Sequence, residues 1–599
     1  MSPEKALSYM SIVVEKIVSL MSFNDFSMSL PLKLEAICDV GGTGQKFMLR
    51  VVQGLEEAIS ANLCDVHACG NLKSAEIGVQ LFECFSNKVL PWFHQIGCSE
   101  DVPLRFSINI WNQIENSMAF SDKVQGKELL DATMRAMKLA VGTCSEENQS
   151  AILEKAYSVL SLSTSFLLNE SMSVKIPVEL EGLQLTQDSG SLSSRDDWLI
   201  SLFASVIIAL RPRTHIPNVR VILHLFMKAL LKGHVPSAQA LGSMVNKLHP
   251  KNNEAEISGD CTLEEAMDII FNKSFWSSLD NGPPFRRCSL LDDYSEMGLM
   301  NLCLSVGNRN LLQIHAIVGL AWVGKGLLMR GHEIVKDVTM IFFKCLVSNG
   351  EMGVLPLKQG SSENCSEQDV IASTMKTAAN AFHILMSDSE VCLNKSFHAI
   401  MRPLYKQRFF SSVMPVLVSS IMKSDSSIRR AMMYRAFGHV ISDTPLVAIL
   451  SEAKKLIPIL LDALSMLSED VLDKDMIYNL LLVLSGILMD KNGQEAVIET
   501  AHIIINRLTG LISYPHMMLV RETALQCLLA MSGLPHTRIY PMRSQGVNCI
   551  KKSSFLKVNR RVLLRRWLGR ISTMNRSFCL SATIAHLDDE KLKWLQWFW

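Results

Sequence analysis

Apolar residues recur three and four positions apart along most of the chain, whereas apolar/polar alternation bounded by Asn-Gly or Asp-Gly turns is almost absent. That spacing lines one stripe of a helix, so the sequence predicts an all-α protein. Helical stretches are separated by short punctuation such as RPRTHIPN, KGHVP, SDTP and ISYPH, where Pro and Gly end one helix and aim the next. Three longer breaks, Ile176 to Ser194, Asp280 to Asp293 and Asn349 to Asp369, are rich in Gly, Ser, Pro or acidic residues and read as solvated loops.

Laying helices over one another exposes a repeat. Counting from Pro236, Leu312, Ile428 and Val520, the fourth residue onward is Ala240, Ala316, Met432 and Ala524. The fifth is Leu241, Ile317, Met433 and Leu525, and the eighth is Met244, Leu320, Ala436 and Leu528. These offsets share one helix face, with mostly small residues where a neighbouring helix would cross. Met476 falls between the last two, giving steps of 48 and 44 residues, close to the period of helix-pair repeats. The preceding helices, FFSSVMPVLVSSIMKSD and KKLIPILLDALSMLSED, each carry a Pro in the first half and an acidic turn at the end. A single such pair cannot bury its apolar face, so the expected fold is an α-solenoid of HEAT/armadillo-like repeats with a long free surface. The expected blocks are 1–175, 195–348 and 370–545, followed by a divergent tail over 546–599.

Composition supports a packed chain: 48% of residues are hydrophobic and 20% charged. The formal net charge of +1 conceals a tail without Asp or Glu between Thr523 and Leu587, where eleven Lys or Arg fall. The fifteen Cys are scattered singly, which points to a reducing compartment, cytoplasm or nucleus. Charges at Glu4, Lys5, Glu15 and Lys16 make the N-terminal stretch an amphipathic helix rather than a secretory signal. The longest nearly apolar run noted, Trp198 to Leu210, is too short to span a bilayer.

Several motifs imitate chemistry. GLAWVGKG, residues 319–326, matches a phosphate-binding loop at Gly319, Gly324 and Lys325, but Gly326 replaces the Mg²⁺-holding hydroxyl. A helical stripe of Leu312, Ala316, Leu320, Val323 and Leu327 runs through it, so a buried helix with glycines at close crossings is expected. DVGGTGQK, Asp39 to Lys46, resembles a sugar-kinase loop yet has helical flanks, and reads as a turn between helices. CDVHAC offers Cys64, His67 and Cys69 with the third ligand facing away, so core thiols and a turn histidine are expected. HEIVK at His332 lacks the second histidine of a zinc-protease helix, with Lys336 in its place. No catalytic, cofactor-binding or metal-ligating set emerges. The 32 Met are read chiefly as core filler. Arg429, Arg430 and Arg521, with Glu522 beside the last, open second helices of their repeats and are the candidate docking residues for an acidic partner, against the plainer reading of a solvated rim.

Three segments carry a resemblance: AIVGLAWVGKGLLMRGHE, HILMSDSEVCLNKSFHAIMRPLYKQRFFSSVMPVLV and HMMLVRETALQCLLAMSGLP. Trp322 to His332 and Tyr405 to Phe410 are the most telling, because their residue choices exceed what a generic helix requires. The chain resembles the HEAT-repeat adaptor family of the cytosolic iron–sulfur assembly targeting complex, named for methyl methanesulfonate sensitivity, nucleotide excision repair and transcription. The match extends from near the N-terminus to about Gln545 and corresponds to the middle and C-terminal part, without the N-terminal arm. The resemblance implies a non-catalytic adaptor without cofactor, binding a propeller subunit and a small partner subunit of that complex. It further implies apo iron–sulfur clients among DNA polymerases, primase and repair helicases, location in cytoplasm and nucleus, and neither membrane nor direct nucleic-acid contact. Beyond YPMRSQ the text departs from the family pattern, as an altered reading frame or splice choice would make it, and this puts partner docking at the C-terminal repeats in question. A helical scaffold whose basic tail engages nucleic acid, or a nuclear transport receptor of similar repeats, stays open as the alternative.

Overall fold

The computed structural model describes residues 42–69, 72–91, 101–116, 126–163, 194–250, 261–271, 298–304, 310–347, 364–388, 393–468 and 473–532. The N-terminal stretch through Gly41 and the tail after Ser532 lie outside them. Every regular element among the described residues is helical. In chain order they are α1 (Gly42–Cys69), α2 (Leu72–Cys84), α3 (Val102–Asn116), α4 (Lys127–Thr143), α5 (Glu146–Ser163), α6 (Ser194–Ala209), α7 (Val219–Leu231) and α8 (Val235–Lys247). Then come α9 (Leu263–Phe271), α10 (Leu299–Leu304), α11 (Asn310–Arg330), α12 (Val335–Val347), α13 (Asn364–Met386), α14 (Tyr405–Lys423) and α15 (Ser427–Ser442). The series ends with α16 (Leu446–Ser451), α17 (Ala453–Leu467), α18 (Lys474–Met489), α19 (Lys491–Val497), α20 (Ala501–Leu511) and α21 (Met518–Ser532). Helix α13 starts within the break expected over 349–369, so Asn364 to Asp369 are helix rather than loop.

The chain forms two compact units, Met1–Ala448 and Ile449–Trp599. In the first, α2, α4, α6, α8, α11, α13 and α15 pack in sequence, each on the next, and form an inner layer. The helices between them, among them α3, α5, α7, α12 and α14, pack on the inner row as a second layer. In the second unit α18 packs on α21, with α17 and α20 beside them. Both are stacks of helix pairs, the α-solenoid architecture.

The recurring stripe forms the inner layer. Ala240, Leu241, Met244, Ala316, Ile317, Leu320, Met433 and Ala436 are all buried, and burying each Leu, Ile or Met side chain contributes about 1.5–3 kcal/mol. Met432, Leu525 and Leu528 are only half-buried. Methionine divides both ways, with Met137, Met244, Met329 and Met386 in the core and Met340, Met422, Met489 and Met518 exposed.

Helix α11 is the axis of the first unit. Leu311–Arg330 has the length and composition of a membrane span and outranks the thirteen-odd residues from Trp198, yet most of it is buried inside the fold, as suits a core helix. It crosses α8 at backbone distance: a Cβ on Gly242 would fall on the Trp322 carbonyl, and one on Gly326 would fall on the Gly242 carbonyl. Glycine is required at both positions because the obstacle is backbone. Gly331, at φ 78°, ends the helix, its N–H bonding to the Leu328 carbonyl at 3.0 Å and that of His332 to Leu327 at 3.0 Å.

The C-terminal ends of α4, α6 and α8 are each closed by a side chain from further along the chain, and that of α13 by a side chain of α11. Gln149, at the start of α5, donates to the Val141 carbonyl of α4 at 2.8 Å and to Ala209 at 3.5 Å, while its Oε1 accepts from Arg211 N and Thr214 Oγ1. Lys247 closes α6 by donating to Ile208 and Leu210 carbonyls at 2.6 and 2.7 Å. Arg330 closes α8 through Val245 and Leu248 at 2.7 and 2.8 Å, and Lys325 donates to the Ser387 carbonyl past the end of α13. Carbonyls in the last turn of a helix lack an amide of the next turn to pair with, and the Arg330 guanidinium also faces the negative end of the α8 dipole.

Candidate partner-docking surface

Arg429 and Arg430 occupy the first turn of α15, which Ser426 opens by accepting the Arg429 N–H at 3.5 Å. Arg429 is half-buried, and Arg430 folds back to the Ser424 carbonyl at 2.5 Å, closing the end of α14. Arg521 and Glu522 stand half-buried on the first turn of α21. The two pairs belong to different units.

The structure gives the first pair a larger setting that the whole-chain charge had hidden. From Leu393 to Arg430 the sequence holds Lys395, Arg402, Lys406, Arg408, Lys423, Arg429 and Arg430 against one acid, Asp425. Lys395, Arg402, Arg408 and Lys423 are exposed. Lys406 reaches across to Asp388 at 2.6 Å. Between these cations Ile400, Leu404, Val416, Met422 and Ile428 are exposed, with Leu404 at 61%, Met422 at 69% and Ile428 at 57%. The α14–α15 turn thus combines two large apolar side chains with Lys423, Arg429 and Arg430.

Leu404 has a left-handed backbone, φ 61°, which costs a branched residue about 1–2 kcal/mol. Its side chain borders a shallow depression of about 470 Å³ with Gln407, Arg408, Ser411 and Ser412. An exposed apolar side chain beside arginines offers a partner both surface to desolvate and positive charge to complement. A charge count over a 38-residue window would have found this stretch; its apolar exposure has no signature at helical spacing.

The tempting motifs fall elsewhere. All of 319–326 lies inside α11, where Lys325 is fully buried and committed to Ser387. From Gly42 onward the kinase-like stretch is helix, and Asp39 to Gly41 lie outside the described residues. Cys64 and His67 are both within α1, and Cys64 is exposed, which corrects the expectation of a core thiol and a turn histidine. His332 sits in the turn before α12, accepting the Ile334 N–H at 3.3 Å. Burial pushes the Cys144, Cys345 and Cys527 thiols up to about 12, which keeps them protonated and poor ligands. Among the described residues no group of three His, Cys, Asp or Glu could hold a metal ion.

One polar cluster was invisible in the sequence. His234 Nε2 lies 2.8 Å from Ser201 Oγ and 3.4 Å from Asp197 Oδ1, while Nδ1 faces Ser237 Oγ at 2.7 Å and accepts the Ser237 N–H. The residue types are those of a hydrolase triad. The geometry is not, because serine and carboxylate meet the same ring nitrogen and Ser201 is buried. Burial lowers the His234 pKa to about 4, leaving a neutral cap on α8.

The family model described as RNAPII transcription regulator C-terminal, MMS19_C, matches residues 105–532. An MMS19 nucleotide excision repair protein homolog from Arabidopsis thaliana is 45% identical over 553 residues, covering 92% of this chain and 46% of that protein. The Xenopus laevis homolog is 25% identical over 517 residues, 84% of this chain and 42% of its own, and the human one is 25% identical over 266 residues, 44% and 22%. The chain thus spans a little under half the length of the first of these relatives. Among solved structures, a chain of the Kap95:Nup1 complex gives a TM-score of 0.37 at 11% identity, covering 86% of this chain and 58% of that one. Importin beta gives 0.34 at 12%, covering 91% and 68%.

Proposed function

Since the chain belongs to the MMS19_C family of RNAPII transcription regulator C-terminal regions, we propose that it is a non-catalytic docking scaffold in the nucleotide excision repair and transcription setting for which its relatives are named. Its finer role, in this reading, is that of an adaptor in cytosolic iron–sulfur protein assembly. It would hold the propeller subunit and the small partner subunit of the targeting complex and present apo DNA polymerases, primase and repair helicases for cluster delivery, in cytoplasm and nucleus. The observation that carries the reading is the basic and apolar surface over 393–430, set on a helix stack whose polar interior is committed to closing helix ends.

No bond needs to be made or broken for such work. Two weak contacts on one scaffold raise the effective concentration of one partner near another. Arg402, Arg408, Arg429 and Arg430 would meet acidic partner surfaces, Leu404, Met422 and Ile428 would supply the desolvated anchors, and Arg521 with Glu522 would add a contact on the second unit. Radioactive iron incorporation into repair helicases, in cells lacking the protein and in cells re-expressing it, tests the adaptor role. Loss and rescue are expected; normal incorporation without the protein contradicts it.

A further inference from the structure

The segment Leu393–Leu404 leaves the inner layer after α13 and touches helices far upstream. Ser396 and Phe397 pack at Gly142, near the end of α4, where a Cβ would lie 3.5 Å from the Ser396 carbonyl. His398 Nε2 meets the Gly142 carbonyl at 2.8 Å, across 256 residues. Two residues on, Ile400 pairs with Asn246 of α8, across 154 residues: Ile400 N donates to Asn246 Oδ1 at 2.7 Å, and Asn246 Nδ2 donates to the Ile400 carbonyl at 2.9 Å. The same Nδ2 lies 3.0 Å from the Gly326 carbonyl of α11. Two residues further, Arg402 N donates to the Met329 carbonyl at 2.7 Å, and its side chain lies over Gly331.

The stations on this segment therefore follow the order of the helices. Its local structure is built to hold them: Asn394 caps the short 3-10 turn Lys395–Phe397, His398 is left-handed at φ 56°, and Leu393 and Phe397 are buried. A stack of helix pairs otherwise couples only neighbouring repeats, and its repeats open one at a time.

We infer that residues 393–404 are a strap that joins the C-terminal ends of α4, α8 and α11 into one cooperative element. Release of the strap at any one end then loosens the other two, and the coupling is reciprocal. The inference rests on contacts within the first unit and is independent of the docking reading, although Ile400, Arg402 and Leu404 contribute the outer side chains of both.

Hydrogen exchange with mass spectrometry on the full chain tests it. His398→Ala removes the contact at Gly142 and is read at the opposite end, residues 326–332, which His398 does not touch. Asn246→Ala breaks the central station and is read at residues 138–144. Exchange at these remote stretches is expected to rise about three- to tenfold in each variant, the scale of one lost buried hydrogen bond. Faster exchange confined to the contact each variant deletes would overturn the strap. Should Asn246→Ala lose its helical circular dichroism, the His398→Ala result alone decides.

Discussion

The two units bury the same kind of apolar stripe but join their helices differently. In the first, polar side chains cross from repeat to repeat and end on backbone carbonyls: Gln149, Lys247, Arg330 and Asn246 are all committed this way. In the second, the cross-repeat links described are of another kind, with Arg507 Nη1 meeting Ser465 Oγ at 2.6 Å in the open and Cys527 Sγ a weak donor to the Leu481 carbonyl at 3.8 Å. The second unit is held mainly by Leu480, Leu484, Ile504, Leu508, Ala524 and Cys527. Directional links to carbonyls fix how far one helix can slide past another, whereas apolar packing tolerates adjustment at similar energy. The contrast yields variants whose effects differ in sign and size between the units.

The largest difference should come from glycine. Gly326→Val forces a side chain into the Gly242 carbonyl, where only backbone could yield, and is expected to destabilise the first unit by about 3 kcal/mol in urea unfolding. Arg330→Met should follow, costing about 1–3 kcal/mol by leaving the part-buried bonds to the Val245 and Leu248 carbonyls unmade. A loss under the noise of the measurement would show that water replaces the guanidinium.

Next comes pH. Burial lowers the Lys247 pKa to about 7 from its ordinary 10.5, so above pH 7 the folded state gives up a proton that the unfolded chain keeps. Stability relative to Lys247→Met should therefore rise from pH 7 to about 10, with a limiting slope of about 1.4 kcal/mol per pH unit. Thermal melts of both proteins across that window check it, and a flat difference contradicts it. The smallest effect belongs to the second unit. Gly510 is exposed inside α20 with nothing within 4 Å of a would-be Cβ, so Gly510→Ala should stabilise by about 0.5–1 kcal/mol, opposite in sign to Gly326→Val.

How much of this was legible depended on range. The stripe through Ala240, Ala316, Met432 and Ala524 could be read because helix periodicity is local, and Gly326 betrayed the failed phosphate loop for the same reason. The beginning of α13 was missed because the residues from Asn364 to Asp369 have loop composition, although the helix already includes them. Arg429 and Arg430 were identifiable as helix-opening residues from Ser426 ahead of them. The exposure of Leu404 and its left-handed backbone were not, since apolar periodicity carries no sign of either. Nor were the stations of the strap, because a bond from His398 to a carbonyl 256 residues away requires nothing particular of the sequence at Gly142 beyond a small residue.

The most direct test of the docking account is the affinity of the purified propeller and small partner subunits for the chain and for a variant carrying Arg402→Glu, Arg408→Glu, Arg429→Glu and Arg430→Glu. The account predicts unchanged circular dichroism and an affinity lower by about tenfold or more, since charge reversal at a complementary surface costs several kcal/mol. Equal affinity for both proteins, with both folded, would contradict it.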